Sequence, residues 1–345
     1  MSWQSVRGHD SIVTMLRAAA RAGRLAHAFL FVGPEGVGKR TLARVLARAL
    51  LCETNREQDL DPCGECPGCL QAEAATHPDL LEFGRPADRS ELPIQVIRDL
   101  CAEFGLKPAR SRRKVAIVDD VDSMSDEAAN AFLKTLEEPP PGAVLILIGT
   151  SAELQLDTIV SRCQVVRFRS LPDPLVADLL ESQGVASDPA DAARLSALGE
   201  GSLSRAIGLA DPELERFRRA LIDDLAADRG FDPSLQAQRF LAFVRQAGKE
   251  SADHRRRAAL LIGELGRLFR GVLWQTAGLE PPSPDAEDRR AASELAARLE
   301  PEDVFALMDR CLGAAYHLRR NLLLPVVLES LFHDLSRLLN GRARE

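Results

Sequence analysis

Residues 29–53, FLFVGPEGVGKRTLARVLARALLCE, pass from an apolar run through a glycine loop into a helical pattern. The phosphate-binding pattern G-x-x-x-x-G-K-[ST] is matched from Gly33 to Lys39 and broken at position 40, which is arginine. In such a loop the glycines let backbone N–H groups curl around phosphate oxygens. The helix start adds partial positive charge, and the lysine neutralises the outer phosphates. The expected nucleotide contacts are therefore Gly33, Gly36, Gly38 and Lys39. The hydroxyl at the next position should ligate magnesium, but a guanidinium has no lone pair to give and stays charged at any physiological pH. Thr41 carries a hydroxyl, yet one residue along a helix is a turn of about 100°, which aims it away from the metal position.

The surrounding pattern places this loop in a parallel sheet. AFLFV (28–32), LLEF (80–83), KVAIV (114–118), VLILI (144–148) and VVRF (165–168) are short apolar runs separated by helical segments, which predicts strands covered on both faces. Leu42, Val45, Leu46, Ala49 and Leu50 fall on one face of the helix after the loop. A second helix is expected over about 126–137, with Asp126 and Glu127 in its first turn and a stop before Pro139, Pro140 and Pro141. After LPDP (171–174) the strands fade. A small helical domain is expected to about 211 and a larger one over 212–345, with PPSPDAED (281–288) as a polar loop inside it.

In KVAIVDDVDSMS, Asp119 stands at a strand end, where a magnesium-associated carboxylate belongs. Asp120 stands where hydrolysing enzymes of this type place a glutamate to activate water. Aspartate is one methylene shorter, and an error of about 1 Å is costly in such geometry. A plainer reading is that DDVD only caps the next helix.

Cys52, Cys63, Cys66 and Cys69 lie within eighteen residues, in DPCGECPGC and its approach, while Cys101, Cys163 and Cys311 are scattered. Four thiolates complete a tetrahedral Zn²⁺ and leave no open position, so the expected site is structural. Free thiols or a redox pair are the alternatives.

The 345 residues suffice for two or three domains, with 46% hydrophobic and 28% charged residues. No run approaches the length of a membrane span, and the start MSWQSVRGHDSIVTML lacks an apolar core behind a basic leader, so the expected compartment is the cytoplasm. A net charge of -7 argues against coating nucleic acid through the overall field. The basic run RSRRK (110–114) reads as a solvated turn before a strand. One tyrosine and two tryptophans make a poor platform for stacking bases, which counts against a stand-alone nucleic-acid-binding protein.

GPEGVGK, the four-cysteine insertion directly after the first helix of the sheet, NAFLKTLEEPP (130–140) and IVSRC (159–163) together resemble the clamp-loader family of AAA+ proteins. The motifs cover about residues 1–210. The resemblance implies an α/β AAA+ P-loop domain over 1–170 carrying a zinc-binding insertion (52–69), a small helical lid over 171–211, and an all-α C-terminal collar over 212–345. It further implies a five-subunit ring that opens a sliding clamp and loads it on primed DNA, with gamma/tau and delta subunits as partners and no membrane. The arginine of the SRC motif, here Arg162 between Ser161 and Cys163, would reach the ATP of a neighbouring subunit; the alternative is an ordinary surface arginine. GSLSRA (201–206) carries Ser204 where hydrolysing members have a nucleotide-sensing arginine, with Arg205 displaced by one. Loss of the metal ligand and the sensor, with the SRC arginine kept, describes a subunit that activates its neighbour without firing itself. ATP and Mg²⁺ in its own site are therefore doubtful. A gamma/tau-type motor would instead carry Ser or Thr at 40 and Glu at 120, and in tau a long C-terminal extension.

Overall fold

The computed structural model describes residues 2–86, 89, 91–227, 231–320 and 322–340. Contacts divide the chain into two compact units, Met1–Leu175 and Val176–Glu345.

The first unit is built around five parallel strands: β1 (Ala28–Val32), β2 (Leu80–Phe83), β3 (Lys114–Val118), β4 (Ala143–Ile148) and β5 (Gln164–Arg167). Their order is β2-β3-β4-β1-β5. The helices are α1 (Asp10–Arg21), α2 (Lys39–Leu50), α3 (Pro67–Glu73), α4 (Ile94–Phe104), α5 (Asp126–Glu137) and the single turn α6 (Asp157–Val160). β1, β3 and β4 are buried at every position, as a sheet covered on both faces demands. Leu42, Val45, Leu46, Ala49 and Leu50 of α2 are all buried, so the 3.6-residue period names the face that meets the sheet. Ser125 caps α5 by accepting from the Ala128 N–H, and the helix ends two residues short of Pro139. On the other side of the sheet, Phe132 and Leu136 of α5 pack into one core cluster with Ile97 and Leu100 of α4 and Ala116 and Leu145 of the sheet.

The second unit is all-helical in its described residues. α7 (Asp173–Ser182) leads into it, followed by α8 (Pro189–Gly199), α9 (Leu203–Leu209), α10 (Pro212–Ala226), α11 (Pro233–Val244), the long α12 (Ser251–Thr276), α13 (Ala286–Ala296), α14 (Pro301–Arg319) and α15 (Leu324–Asn340). Phe217 stacks on Phe243 with centroids 4.2 Å apart, and Phe240 meets Phe332 edge-on, which ties α10, α11 and α15 together.

The stretch 281–288 differs from the polar loop expected there. Its last three residues open α13, and Asp285 and Asp288 turn inward onto Arg218, whose side chain is 1% exposed. Acidic residues in a first helical turn and a buried guanidinium within reach favour this over solvation. No described helix is long and apolar enough to cross a membrane.

Candidate functional site

Three strand ends meet at one edge of the sheet, since β4 lies between β1 and β3. In a parallel sheet this carboxyl edge is where ligands are received. The loop after β1 is held there by backbone: the Gly33 N–H donates to the Thr150 carbonyl at 3.0 Å, and buried His9 contacts the Val37 carbonyl at 2.7 Å. Gly33 has φ +147°, and a Cβ there would stand 2.4 Å from the Phe168 carbonyl oxygen. Gly38 has φ +101° immediately before α2, where a side chain would be strained. Asp122 braces the end of β4, accepting from the Thr150 N–H at 2.6 Å, the Thr150 hydroxyl at 2.7 Å and the Gln155 amide at 2.6 Å.

Lys39 is buried, and its ammonium donates to the carbonyls of Gly33 at 2.5 Å and Pro34 at 2.6 Å. Burial lowers its pKa, against the pull of Glu35, Asp119 and Asp122. Arg40 is bound to two acids, Glu82 of β2 at 3.0 Å and Asp119 just beyond β3 at 3.4 Å. Arg44 adds a second, bidentate partner to Glu82, with Nη2 at 2.7 Å and Nε at 2.9 Å. Burial opposes ionisation of Glu82, but the hydrogen bonds from Arg44 and Arg40 outweigh it and hold this carboxyl below the usual range. Burial dominates at Asp119 and raises its pKa despite Arg40. Asp120 is in the left-handed region at φ 62° and is bound by Arg85 at 2.6 Å. The two acids expected to serve metal and water thus each carry an arginine partner. Thr41 is half-buried on α2, one position beyond Arg40.

The four cysteines converge. Their sulfurs all lie within 4.8 Å of one another, with Cys63–Cys69 at 3.9 Å and Cys66–Cys52 at 4.0 Å. Bonds of about 2.3 Å in a tetrahedron put sulfurs roughly 3.8 Å apart, so the donor set fits a metal of zinc's size. Backbone N–H groups of Glu53, Asn55, Cys66 and Cys69 each point at a cysteine sulfur at 3.4 Å. Burial opposes ionisation of Cys63, yet the N–H groups of Glu65 and Cys66 bring its thiol down to about 6. This loop is anchored on several sides: Trp3 donates to the Leu60 carbonyl at 2.6 Å, Arg17 pairs with Asp61, and buried Arg48 donates to the Gly64 carbonyl. The basic run contributes two more anchors, Arg110 to Glu53 at 2.8 Å and Arg113 to Glu57. It is a turn, held by Asp79, which accepts from the N–H groups of Ala109, Arg110 and Ser111.

Arg162 follows α6. Its Nη1 donates to the Thr158 carbonyl at 2.9 Å and the Ser161 hydroxyl at 3.1 Å, and its Nη2 to Glu137 at 2.6 Å. The Cys163 thiol beside it is pushed up to about 12 by burial. In the second unit Ser204 is exposed, while Arg205 pairs with Glu264 of α12 at 2.8 Å and with Glu200 at 3.1 Å. The displaced arginine is committed to its own unit.

Glu82, Arg85, Asp122 and Glu137 were not singled out by sequence reasoning. Glu82 interrupts the apolar run of β2, and Glu137 sits in the quoted TLEEPP motif, so both left a visible signal.

A family model described as DNA polymerase III, delta subunit, matches residues 8–172. The chain is 30% identical over 320 residues to DNA polymerase III subunit tau of Escherichia coli (strain K12), covering 88% of this chain and 48% of that protein. It is 34% identical over 186 residues to DNA polymerase III subunit delta' of Bacillus subtilis (strain 168), covering 54% of this chain and 55% of that protein. It therefore spans about half the length of these curated relatives. Among solved structures, a DNA polymerase III gamma subunit-related protein of Thermotoga maritima aligns over 95% of this chain and 99% of its own, at 17% identity and a TM-score of 0.42.

Proposed function

This chain belongs to the clamp-loader AAA+ family, and from that premise we propose that it is a delta-prime-like stator of the bacterial replicative clamp loader. In this reading it is a subunit of the DNA polymerase III holoenzyme with no polymerase activity of its own, and its own ATPase has lapsed. It helps load the sliding clamp onto primed DNA by supplying Arg162 in trans to the ATP of a neighbouring motor subunit. Residues 1–170 act as the AAA+ domain, 171–211 as the lid and 212–345 as the collar. The outward face of α14 carries Phe305, Leu312 and Tyr316, 58%, 68% and 50% exposed, which suits packing against gamma/tau or delta collars. Cys52, Cys63, Cys66 and Cys69 hold a structural zinc that braces the insertion.

The observation that carries this reading is Arg40 within 3.4 Å of Asp119 and 3.0 Å of Glu82. A fixed cation shares the carboxylate that a magnesium ion would need, and a like charge there repels the metal. A second reading, a gamma/tau-type motor, is favoured by the 320-residue likeness to tau. It requires hydrolysis by this chain's own site, which Arg40 and the arginine-bound Asp120 oppose.

The test is a reconstituted loader with native or Arg162→Ala chain. Arginine fingers supplied in trans are worth roughly 10³–10⁵ in rate at the site they serve. The variant is expected to lower clamp- and DNA-stimulated ATPase in part, since other motor sites take fingers from other subunits, and to lower clamp loading further. Equal rates for the two loaders would remove the finger assignment.

A further inference from the structure

We propose that Glu137 is a latch on Arg162, holding the guanidinium in a charge-neutralised position until a triphosphate on a neighbouring chain displaces the carboxylate. The inference rests on the in-trans role proposed for Arg162 and adds its control. Three contacts hold this side chain. Two, to the Thr158 carbonyl and the Ser161 hydroxyl, come from its own turn and suffice to orient the fork. The third, Nη2 to Glu137 Oε1 at 2.6 Å, comes from the last residue of α5, 25 positions away in sequence, and is the one that brings charge. A carboxylate at that distance cancels most of the field a guanidinium could direct at a developing phosphoryl charge.

The surroundings suit a contact that breaks. Arg162 is 34% exposed and Glu137 49%, and the two share an open hollow with His27, Leu136 and Ser161. An exposed ion pair is weak. A triphosphate offers more negative charge, and its terminal group three acceptor oxygens against the carboxylate's two, to the same fork, so it outcompetes the carboxylate where it can reach. Glu137 is on this view a positioning residue, acting only through Arg162. Its effect is to keep the neighbouring site slow while the ring is open.

The experiment is basal ATPase, without clamp or DNA, of loaders reconstituted with native chain, Glu137→Gln, Arg162→Ala and the double variant. Glu137→Gln is expected to raise basal turnover about two- to five-fold, the span that an exposed ion pair permits. It should leave the melting temperature of the isolated chain and its co-elution with the loader unchanged. The double variant should match Arg162→Ala alone, an outcome that a merely structural role for Glu137 does not give. Glu137→Ala, which removes the carboxylate without adding an amide, should behave as Glu137→Gln does and serves if the first variant assembles poorly. Unchanged or lower basal turnover in both Glu137 variants overturns the latch, as does a rise that persists without Arg162. If Arg162→Ala equals native under clamp and DNA stimulation, the finger reading itself has failed and the latch falls with it.

Discussion

Arg40 is charged at every physiological pH and is bound to carboxylates on β2 and just beyond β3, so the position where the sequence pattern expects a magnesium ligand carries an ion-paired guanidinium. The isolated chain is expected to show no magnesium-dependent ATPase. Steady turnover abolished by Lys39→Ala would contradict this. Arg40→Ser removes the fixed charge and frees Asp119, so calorimetry should find nucleotide binding strengthened about tenfold or more by magnesium in the variant and not in the native chain. Turnover should stay low even then, because Asp120 is short and held by Arg85. The loop, Arg40 and Asp119 were legible in the sequence because their meaning lies in fixed local spacing. The pairings of Glu82, Arg85 and Glu137 were not, because their partners stand 42, 35 and 25 residues away and only the tertiary fold brings them together.

At the scale of elements, strands were the most readable feature. The apolar runs at 28–32, 80–83 and 114–118 coincide with β1, β2 and β3, while β4 begins one residue earlier than its run and β5 is shifted by one. Periodicity marks which residues are buried but not where hydrogen bonding to a neighbour stops. The cysteine insertion was legible as a donor set, whereas its anchoring was not: the basic run read as a solvated turn pairs Arg110 and Arg113 with acids of the insertion. That anchoring shapes a prediction. Purified protein from metal-replete cells is expected to contain one zinc per chain, and Cys66→Ser to carry well below one equivalent. Because Trp3, Arg17, Arg48, Arg110 and Arg113 hold the loop independently of metal, the variant should keep its sheet, with proteolytic cleavage appearing first within 52–69. Full zinc retention by the variant, or global unfolding, would count against this account.

At the scale of the molecule, the two units rest on different physics. The first has an apolar sheet core that hydrophobic pattern announces. The second encloses a charged network that no pattern announces: Arg218 meets Asp288 at 2.9 Å, Asp285 at 3.0 Å and Glu215 at 2.9 Å, and Arg267 joins Glu264 and Asp288 at 2.7 Å each. Such groups are stable inside only when every charge is paired. Burial raises the pKa of Glu215, but hydrogen bonds and charge from Arg218 and Arg219 overcome it and bring the carboxyl down to about 2. A folded-state pKa below the unfolded value means the contribution is complete above about 4.5 and disappears as pH falls from there towards 2. Glu215→Gln should therefore lower stability by about 1.5–3 kcal/mol at pH 7, the range for a lost hydrogen bond to a charged group. The deficit should shrink below pH 4.5 and vanish near pH 2. Trp274 lies in the second unit and Trp3 in the first, so denaturant unfolding of the Trp3→Phe chain, followed by fluorescence, reads the second unit alone. A deficit of the same size at pH 7 and at pH 3 would mean that Glu215 stabilises by packing and not by charge.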